Sequence, residues 1–446
     1  MKPINVGLLG IGTVGSGTFS VLARNRAEIS RRAGRGIRVA MVADKDLAKA
    51  RALVAERTPA GEPAAQVLDD AFAVARHPDI DIVVELIGGY GVAKDLILEA
   101  IAHGKHVVTA NKALLALHGN EIFGAAQKKG VMVAFEAAVG GGIPIIKALR
   151  EGLTANRIEW IAGIINGTSN FILSEMRDKG LAFDTVLAEA QRLGYAEADP
   201  TFDIEGIDAG HKLTIMSAIA FGVPMQFERA YTEGITRLTA QDIRYAEQLG
   251  YRIKLLGITR RVGEGASAGI ELRVHPTLIP ARRLIANVEG VMNAVLVKGD
   301  AVGQTMYYGA GAGSEPTASA VVADLVDVTR LATVDPENRV PHLAFQPDQM
   351  ADVRILPIEE VETAYYLRMR VQDRPGVLAD ITRILADRTI SIDAMVQKEP
   401  AAGEAEADII LLTHRTIERN MNEAIASIEA LATVSGRVTR LRLEEL

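Results

Sequence analysis

The feature that most constrains the fold of this chain is a glycine-rich turn directly after its first apolar segment. Residues 4–9 form a continuous apolar strand pattern, and Gly10, Gly12 and Gly15 follow at the spacing G-x-G-x-x-G before a helix pattern over residues 16–29. The first glycine permits a tight turn, the second lets pyrophosphate approach the backbone, and the third permits close helix–strand packing. Because the helix N-terminus then faces the phosphates, the pattern predicts a dinucleotide-binding domain rather than a glycine turn without a ligand.

The second predicted strand, residues 37–43, ends at Asp44 and Lys45. An acidic side chain at this position suits the ribose hydroxyl of NAD, whereas a neighbouring base suits the additional phosphate of NADP. Because both are present, the choice of cofactor stays open at this point. For Lys45 the alternative is an ordinary exposed lysine.

Strand and helix patterns alternate up to about residue 135, which is typical of right-handed β-α-β units in an open parallel sheet. Gly88 and Gly89 follow one predicted strand, and Asn111 and Lys112 follow the next. Ligands of such sheets bind beyond the carboxyl ends of the strands, so we expect these residues near the ligand. A surface lysine is the alternative interpretation of Lys112.

A stretch rich in carboxylates, residues 194–213, carries the candidate catalytic groups. Asp203 is a suitable N-cap for a helix that starts beside it and continues to residue 221. At roughly 100° per residue, Asp208 falls inside the apolar face of that helix and Lys212 at its margin. Burying an acid and an amine costs desolvation energy, which favours a functional role. The alternative is a partly exposed i, i+4 ion pair, worth only about a few tenths of a kcal/mol.

The loop that follows residue 135 contains Glu136 and three consecutive glycines at residues 140–142. Three glycines do not hold regular structure, so carbonyl groups here are free to turn inward. One carboxylate with several carbonyls could bind a hard cation. From the residues alone, a plain loop is the stronger interpretation.

From about residue 145 the pattern changes to that of a second domain, of α+β type with a mixed sheet. A second glycine-rich loop at residues 309–317 leads into a helix whose N-terminus either approaches a ligand or simply packs closely. A linker is then predicted by four prolines, namely Pro336, Pro341, Pro347 and Pro357. The residues after it have the order β-α-β-β-α-β, which predicts a separate ferredoxin-like unit.

Composition excludes several classes of protein. The 446 residues carry a net charge of −7 and contain no cysteine, so we expect neither a nucleic-acid surface nor disulfides or thiolate metal sites. No apolar run reaches roughly 18 residues, and the start of the chain lacks the basic region of a signal peptide. We therefore expect a cytoplasmic protein that binds neither nucleic acid nor membranes.

Together these motifs resemble homoserine dehydrogenase, in the bacterial form with a C-terminal ACT domain. The resemblance covers essentially the whole chain and is carried most specifically by residues 10–15, 109–112, 194–213 and 309–320. It implies NAD(P)-dependent interconversion of L-homoserine and L-aspartate 4-semialdehyde, on the route to threonine, methionine and isoleucine. The α/β architecture that it implies has a Rossmann-type NAD(P)-binding domain at 1–135 with a return segment near 307–331, a substrate-binding and dimerisation domain at 136–331, a linker at 332–362 and an ACT domain at 363–446.

The same resemblance implies roles for individual residues. Lys212 is expected to be the proton donor, with Lys112 as a second lysine between cofactor and substrate. The substrate is expected to contact Glu197, Asp203 and Asp208. Together with the motif residues above, the expected cofactor contacts are Gly10, Gly12, Thr13, Val14, Gly15, Asp44, Lys45, Gly88, Gly89, Lys112 and Gly313. A structural sodium ion is expected at Glu136, Val139, Gly141 and Ile143.

The ACT-like unit implies regulation. ACT domains bind amino acids at interfaces between paired copies, and the turn that contains Gly376 lets the backbone approach such a ligand. The pathway end product L-threonine is the expected inhibitor, and a homodimer or homotetramer is the expected assembly. Alternatively, the unit only holds subunits together.

Two other functions compete with this interpretation. One is a related NAD(P)-dependent dehydrogenase that acts on another amino-acid-derived substrate. Oxidation of a semialdehyde through a thiohemiacetal is disfavoured because it needs a cysteine thiolate. The other is a non-enzymatic amino-acid sensor, which would have no reason to retain Lys212 and Lys112 among carboxylates.

Overall fold

A computed structural model describes residues 2–332, 334–335, 339–397 and 405–446, without the side chain of Ala266. In chain order its strands are β1 (Ile4–Leu9), β2 (Ile37–Ala43), β3 (Gln66–Leu68), β4 (Ile82–Glu85), β5 (His106–Thr109), β6 (Val133–Ala134), β7 (Ile158–Ile164), β8 (Tyr231–Thr232), β9 (Tyr251–Val262), β10 (Gly269–Pro280), β11 (Met292–Gly299), β12 (Gly303–Ala310), β13 (Arg354–Ile355), β14 (Glu362–Gln372), β15 (Ile392–Gln397), β16 (Glu406–Thr413), β17 (Thr416–Ile417) and β18 (Val434–Leu443).

The helices are, in chain order, α1 (Thr13–Arg24), α2 (Arg26–Ala33), α3 (Leu47–Arg57), α4 (Ala71–Arg76), α5 (Gly91–Ala102), α6 (Lys112–Lys129), α7 (Ile145–Lys147), α8 (Gly167–Lys179), α9 (Phe183–Arg192), α10 (Thr201–Ile204), α11 (Ile207–Phe221), α12 (Ala240–Gln248), α13 (Ser314–Leu331), α14 (Val377–Ala386) and α15 (Glu418–Glu429). The chain divides into two compact units. The first contains the described residues of Met1–Gly167, Asp208–Glu228 and Val291–Val353, and the second contains those of Thr168–Ile207, Arg229–Gly290 and Arg354–Leu446.

The first unit is built on a six-stranded parallel sheet with the order β3-β2-β1-β4-β5-β6. Every residue of the central strands β1 and β4 is buried, and most of these residues are apolar, as expected for a parallel sheet covered on both faces. The carboxyl ends of β1, β4 and β5 are adjacent, which brings the predicted ligand-binding turns to one edge. The predicted Rossmann-type fold is confirmed.

Helix α13 returns late in the chain to pack on α1 in the same unit. Gly17 makes this packing close, because a Cβ atom there would lie 2.5 Å from the Ser314 hydroxyl oxygen. The unit also contains the antiparallel strands β12, β11 and β7, in that order. Chain segments remote in sequence therefore complete the first unit.

The second unit contains the strand order β9-β10-β18-β14-β16-β15. Strand β10 is antiparallel to β9 and parallel to β18, so the predicted mixed sheet is confirmed. Strands β18, β14, β16 and β15 carry α14 and α15, as a ferredoxin-like module does. Its core includes Tyr365, Leu367, Ile381 and Met421.

Two observations concern the chain after residue 331. Thr277 and Leu278 of β10 pair with the last strand of the ferredoxin-like module, so the module continues the sheet of the second unit. The predicted linker is partly structured, since β13 pairs with β10 and Arg339 donates to the carbonyl oxygen of Gly130 at 2.9 Å. Of the linker prolines, Pro336 lies outside the described residues.

The expected continuous helix from Asp203 to residue 221 is also wrong. Helix α10 ends at Ile204, and α11 begins at Ile207. Gly206 between them has φ +79°, a left-handed conformation that breaks the helix and that glycine adopts without steric cost. Asp203 therefore lies inside the short helix α10 rather than at an N-cap.

Candidate active site

The glycine turn after β1 meets the requirements of a dinucleotide site. Gly10 has φ +92°, and a Cβ atom at Gly15 would lie 2.0 Å from the carbonyl oxygen of Gly10. Both positions therefore need glycine for the turn itself. A Cβ atom at Gly12 would meet nothing within 4 Å, so the backbone there is open to a phosphate group.

Two helix N-termini meet beside this turn. Gly12 is the N-cap of α1, and Gly313, with φ +128°, is the N-cap of α13. The Ser314 hydroxyl donates a hydrogen bond to the carbonyl oxygen of Thr13 at 2.8 Å. Helix N-termini carry partial positive charge, and the two together favour an anion at the start of α1, where Thr13 and Val14 lie.

Glu85 organises the second predicted turn, and the sequence analysis did not single it out. This buried carboxylate accepts hydrogen bonds from the backbone N–H groups of Ile87 and Gly88 at 2.9 and 3.0 Å, and from the Thr109 hydroxyl at 2.7 Å. The available signal was a glutamate at the end of the otherwise apolar strand β4.

Asn111 holds the same turn from the neighbouring strand. Its side chain donates to the carbonyl oxygen of Gly89 at 2.6 Å and accepts from the N–H of Leu114 at 3.1 Å, which caps α6. Gly88 and Gly89 have φ +80° and +72°. The turn and the start of α6, where Lys112 lies, are therefore held as one structure.

The carboxylate of Asp44 accepts hydrogen bonds from the protein backbone. One carboxylate oxygen accepts the N–H of Ile11 at 2.6 Å, and the other accepts the N–H of Asp46 at 2.8 Å. The side chain thus supports the glycine turn directly. Lys45 beside it is exposed.

The centre of the candidate site is the carboxylate of Asp208, which lies between two lysines. Lys212, one helical turn further along α11, has its Nζ atom 2.7 Å from Asp208 Oδ2. The Nζ atom of Lys112 lies 3.1 Å from Oδ1 of the same group. The side chains of Asp208 and Lys212 are 8% and 10% exposed, so the partly exposed ion pair of the alternative interpretation is not what forms.

Two further groups complete this arrangement, and neither was anticipated as part of the site. The amide of Asn166 donates to Asp208 Oδ2 at 2.9 Å, and Lys212 donates to the carbonyl oxygen of Ile165 at 2.7 Å. Burial alone would raise the pKa of Asp208, but Lys212 and Lys112 hold that pKa far below its ordinary value. The carboxylate therefore stays ionised and keeps both lysines close.

His211, next to Lys212, adds no charge near neutral pH. Burial lowers the pKa of His211 to about 4, and its ring packs on Phe227 with centroids 4.3 Å apart. Helix α11 is buried from Asp208 to Phe221, not along one face only. Because every face of α11 is buried, position on a helical wheel does not by itself explain why Asp208 and Lys212 are buried.

Glu197 and Asp203 lie in the second unit. Glu197 is exposed, and its backbone carbonyl accepts from the Gln191 side chain at 3.0 Å. The carbonyl oxygen of Asp203 accepts from the Ser169 hydroxyl at 2.9 Å. The first unit, in contrast, contains Lys112, Asp208, Lys212 and all the predicted cofactor residues.

The residues predicted to bind sodium lie in a loop of the first unit. The carboxylate of Glu136 accepts the N–H groups of Ile146 and Lys147 at 2.9 and 2.8 Å, and burial raises the pKa of Glu136 to about 7. Gly141, with φ +56°, lies against Gly311, whose carbonyl oxygen would be 2.5 Å from a Cβ atom at this position. Among the described residues, no group of three or more His, Asp or Glu side chains is placed to hold a metal.

Comparison with known proteins decides the family. Models named "Homoserine dehydrogenase, NAD binding domain", "Homoserine dehydrogenase" and "ACT domain" match residues 10–136, 144–326 and 365–433. A homoserine dehydrogenase of Pseudomonas aeruginosa is 63% identical over 446 residues, with 100% of both chains covered. The chain belongs to the homoserine dehydrogenase family. The crystal structure of such an enzyme from Thiobacillus denitrificans has a TM-score of 0.93 and 73% identity, covering 100% of this chain and 99% of that one.

A more distant structure, a hyperthermophilic archaeal homoserine dehydrogenase in complex with NADPH, has a TM-score of 0.60 and 27% identity, covering 74% of this chain and 98% of that one. As a member of the homoserine dehydrogenase family, the chain is an NAD(P)-dependent oxidoreductase that interconverts L-homoserine and L-aspartate 4-semialdehyde. The predicted family, activity and ACT domain are confirmed, and the non-enzymatic sensor is excluded.

A membrane-spanning helix was not expected. Within the described part of the chain, no helix combines the length and the hydropathy needed to cross a bilayer.

Proposed function

We propose that Lys212 is the proton donor and acceptor of the homoserine dehydrogenase reaction, and that Asp208 and Lys112 set its position and charge. The observation that carries this proposal is the bridging carboxylate of Asp208, 2.7 Å from one lysine and 3.1 Å from the other. A buried carboxylate between two ammonium groups holds both at a defined separation. A surface ion pair would not do so.

The reaction requires a group that gives a proton to the substrate oxygen in one direction and removes it in the other. The bound dinucleotide supplies the hydride that reduces the aldehyde carbon of aspartate 4-semialdehyde. The carbonyl oxygen becomes an alkoxide, and Lys212 gives it a proton to form the homoserine hydroxyl. In the opposite direction neutral Lys212 removes the hydroxyl proton as the hydride leaves. Lys112, the more exposed lysine, is placed to stabilise the developing negative charge.

An assay of the purified chain with its reactants tests this function directly. Homoserine with NADP or NAD should produce the reduced dinucleotide, measured by its near-ultraviolet absorbance. The competing function, oxidation of another amino-acid-derived alcohol, predicts a higher kcat/KM for that compound than for homoserine. The ratio of kcat/KM for the two dinucleotides also measures cofactor preference, which Asp44 and Lys45 leave open.

The cofactor is proposed to bind the residues of the first unit. The open backbone at Gly12 and the paired helix N-termini suit its phosphates. The proposed contacts are Gly10, Gly12, Thr13, Val14, Gly15, Asp44, Lys45, Gly88, Gly89, Lys112 and Gly313.

Carboxylates are proposed to hold the α-ammonium group of the substrate. Glu197 and Asp203 join Asp208 in this role because a cationic amine is best met by several acidic groups. The exposed Glu197 is available to a ligand from solvent.

The change Glu197→Gln should therefore raise KM for homoserine more than KM for NADP, since it removes a charge that faces the ammonium group. Loss of one charge-assisted hydrogen bond corresponds to roughly 10- to 100-fold in substrate affinity. Steady-state kinetics with each substrate varied in turn measure the effect, and Glu189→Gln is the control, since Glu189 is a half-buried glutamate of α9 that pairs with Arg192. Equal changes in the two KM values would assign Glu197 a structural role.

A sodium ion is proposed to bind the loop of Glu136, Val139, Gly141 and Ile143. The support is the donor set, which is one carboxylate and several backbone carbonyls, as hard cations prefer. Gly140 and Gly141 have left-handed φ angles, so the loop is neither helix nor strand at these two residues.

If this loop binds sodium, NaCl should raise the thermal midpoint by about 2–4 °C over choline chloride at equal ionic strength, because an ion that binds only the folded state stabilises it. Differential scanning fluorimetry in the two salts measures the difference. Glu136→Gln should abolish it. Identical midpoints for the unchanged protein in both salts would argue against a sodium site.

The ACT domain is proposed to bind L-threonine as a feedback inhibitor, in an assembly of two or four copies. Gly376, with φ +93°, caps the N-terminus of α14, where backbone N–H groups suit the carboxylate of an amino acid. A Cβ atom at Gly376 would meet nothing within 4 Å, so there is room for a ligand. Light scattering of the purified protein gives the number of copies.

Gly376→Ala should raise the threonine concentration for half-inhibition at least about tenfold, because the new methyl group projects into the proposed site and the φ angle is strained. Its kcat without threonine should be unchanged. Gly436→Ala is the matched control, since Gly436 also has positive φ and open space. If threonine at millimolar concentration leaves the unchanged enzyme fully active, the ACT domain serves assembly instead.

A further inference from the structure

The last strand of the chain carries a buried arginine that joins three parts of the second unit. Arg442 on β18 is 1% exposed. Its Nε atom donates to Glu418 of α15 at 2.7 Å, and its Nη1 atom donates to Glu233 at 2.8 Å. The guanidinium also lies over the ring of Tyr231, 4.9 Å from the centroid. Burying a charged guanidinium group costs desolvation free energy unless carboxylate partners are held beside it.

Glu233 receives hydrogen bonds from two sides. Besides Arg442, the hydroxyl of Tyr231 donates to its carboxylate at 2.7 Å. Burial would raise the pKa of Glu233, but Arg442 lowers it below its ordinary value. The carboxylate is thus ionised and held to the C-terminal strand.

The backbone next to Glu233 forms a strap, residues 233–236, between β10 and α10. The N–H of Glu233 donates to the carbonyl oxygen of Val274 at 2.8 Å. The N–H of Ile235 donates to the carbonyl oxygen of Ile204 at 2.9 Å. One end of the strap is therefore bound to the sheet and the other to the last residue of α10.

The strap lies so close to the end of α10 that a side chain at residue 234 would not fit. A Cβ atom at Gly234 would be 2.3 Å from the carbonyl oxygen of Ile204 and 2.7 Å from Cα of Glu205. Thr236 adds a hydrogen bond from its hydroxyl to Glu205 at 3.1 Å. The strap therefore holds the end of α10, and Asp203 lies in that turn of helix.

We propose that Glu233 is a positioning residue anchored by Arg442. Through Glu233, the C-terminal strand β18 fixes the position of the helical turn that carries Asp203, a side chain proposed to bind the substrate. The proposal rests on the substrate role of Asp203 given above. Glu233 itself acts only through the strap. Because β18 also pairs with β14 of the ACT domain, a shift of that strand reaches the substrate turn by direct contacts within one unit.

The test compares Glu233→Gln with Glu289→Gln. Both glutamates are partly buried in the second unit and pair with arginines, but Glu289 pairs with Arg177 and Arg252. Glu233→Gln should raise KM for homoserine roughly 2- to 30-fold, with KM for NADP and the thermal midpoint close to those of Glu289→Gln. Hydrogen exchange of the peptide over residues 201–207 should become faster in this variant only.

A second variant keeps the proposal testable if Glu233→Gln does not fold. Thr236→Val removes only the exposed contact between the strap and Glu205, and it should raise KM for homoserine in the same direction by less. If neither Glu233→Gln nor Thr236→Val differs from Glu289→Gln in KM or in exchange, the positioning role is overturned. A different result is expected if Asp203 does not bind the substrate. Asp203→Asn would then leave KM for homoserine unchanged, while Glu233→Gln would still make hydrogen exchange of residues 201–207 faster.

Discussion

Lys212→Ala should lower kcat by roughly 10²–10⁴-fold, the usual effect of losing a general acid. The reason is that Lys212 is the buried ammonium group beside Asp208, and alanine has no proton to give. KM for the dinucleotide should stay nearly unchanged, because the proposed cofactor contacts at Gly12, Thr13 and Gly88 do not involve this side chain. Steady-state kinetics in both reaction directions measure the effect.

Lys128→Ala is the matched control for this experiment, since Lys128 is an exposed lysine in the last turn of α6 of the same unit. Addition of a small primary amine to Lys212→Ala should restore part of the lost rate if the missing group is a proton donor. A kcat close to that of the unchanged enzyme would exclude Lys212 from proton transfer.

Asp208→Asn should lower kcat on the order of 10²-fold, although asparagine keeps the shape of the side chain. Without the carboxylate, Lys212 and Lys112 face each other with no counter-charge, which favours the neutral amine at the buried Lys212. The proton donor is then depleted near neutral pH, so the pH optimum for aldehyde reduction should move to lower pH. Removal of one partner of a buried pair should also reduce the free energy of unfolding, by up to about 3 kcal/mol.

The pH profile separates this mechanism from simple loss of stability. Profiles of kcat for aldehyde reduction should be recorded with Asp95→Asn as control, because Asp95 is exposed on α5. A lower rate with an unshifted profile would mean that Asp208 only supports the structure. An unaltered rate would contradict its place in the site.

Local sequence was sufficient to predict the glycine turn of the NAD(P)-binding domain. Apolar strand patterns and the spacing of Gly10, Gly12 and Gly15 predicted the turn, because its geometry depends on sterics between residues close in sequence. The pairing of Asp208 with Lys212 was predictable for the same reason, since residues four apart in a helix are neighbours.

The chain sequence alone thus determined the Rossmann-type domain, the buried lysine–aspartate pair and the ferredoxin-like order at the C-terminus. Tertiary structure decided that Lys112 and Asn166 reach the same carboxylate, that Glu85 holds the turn at Gly88, and that α10 ends before Gly206. It also decided that β18 pairs with β10. These features depend on sheet order and on contacts between remote segments, which local periodicity and residue spacing do not encode.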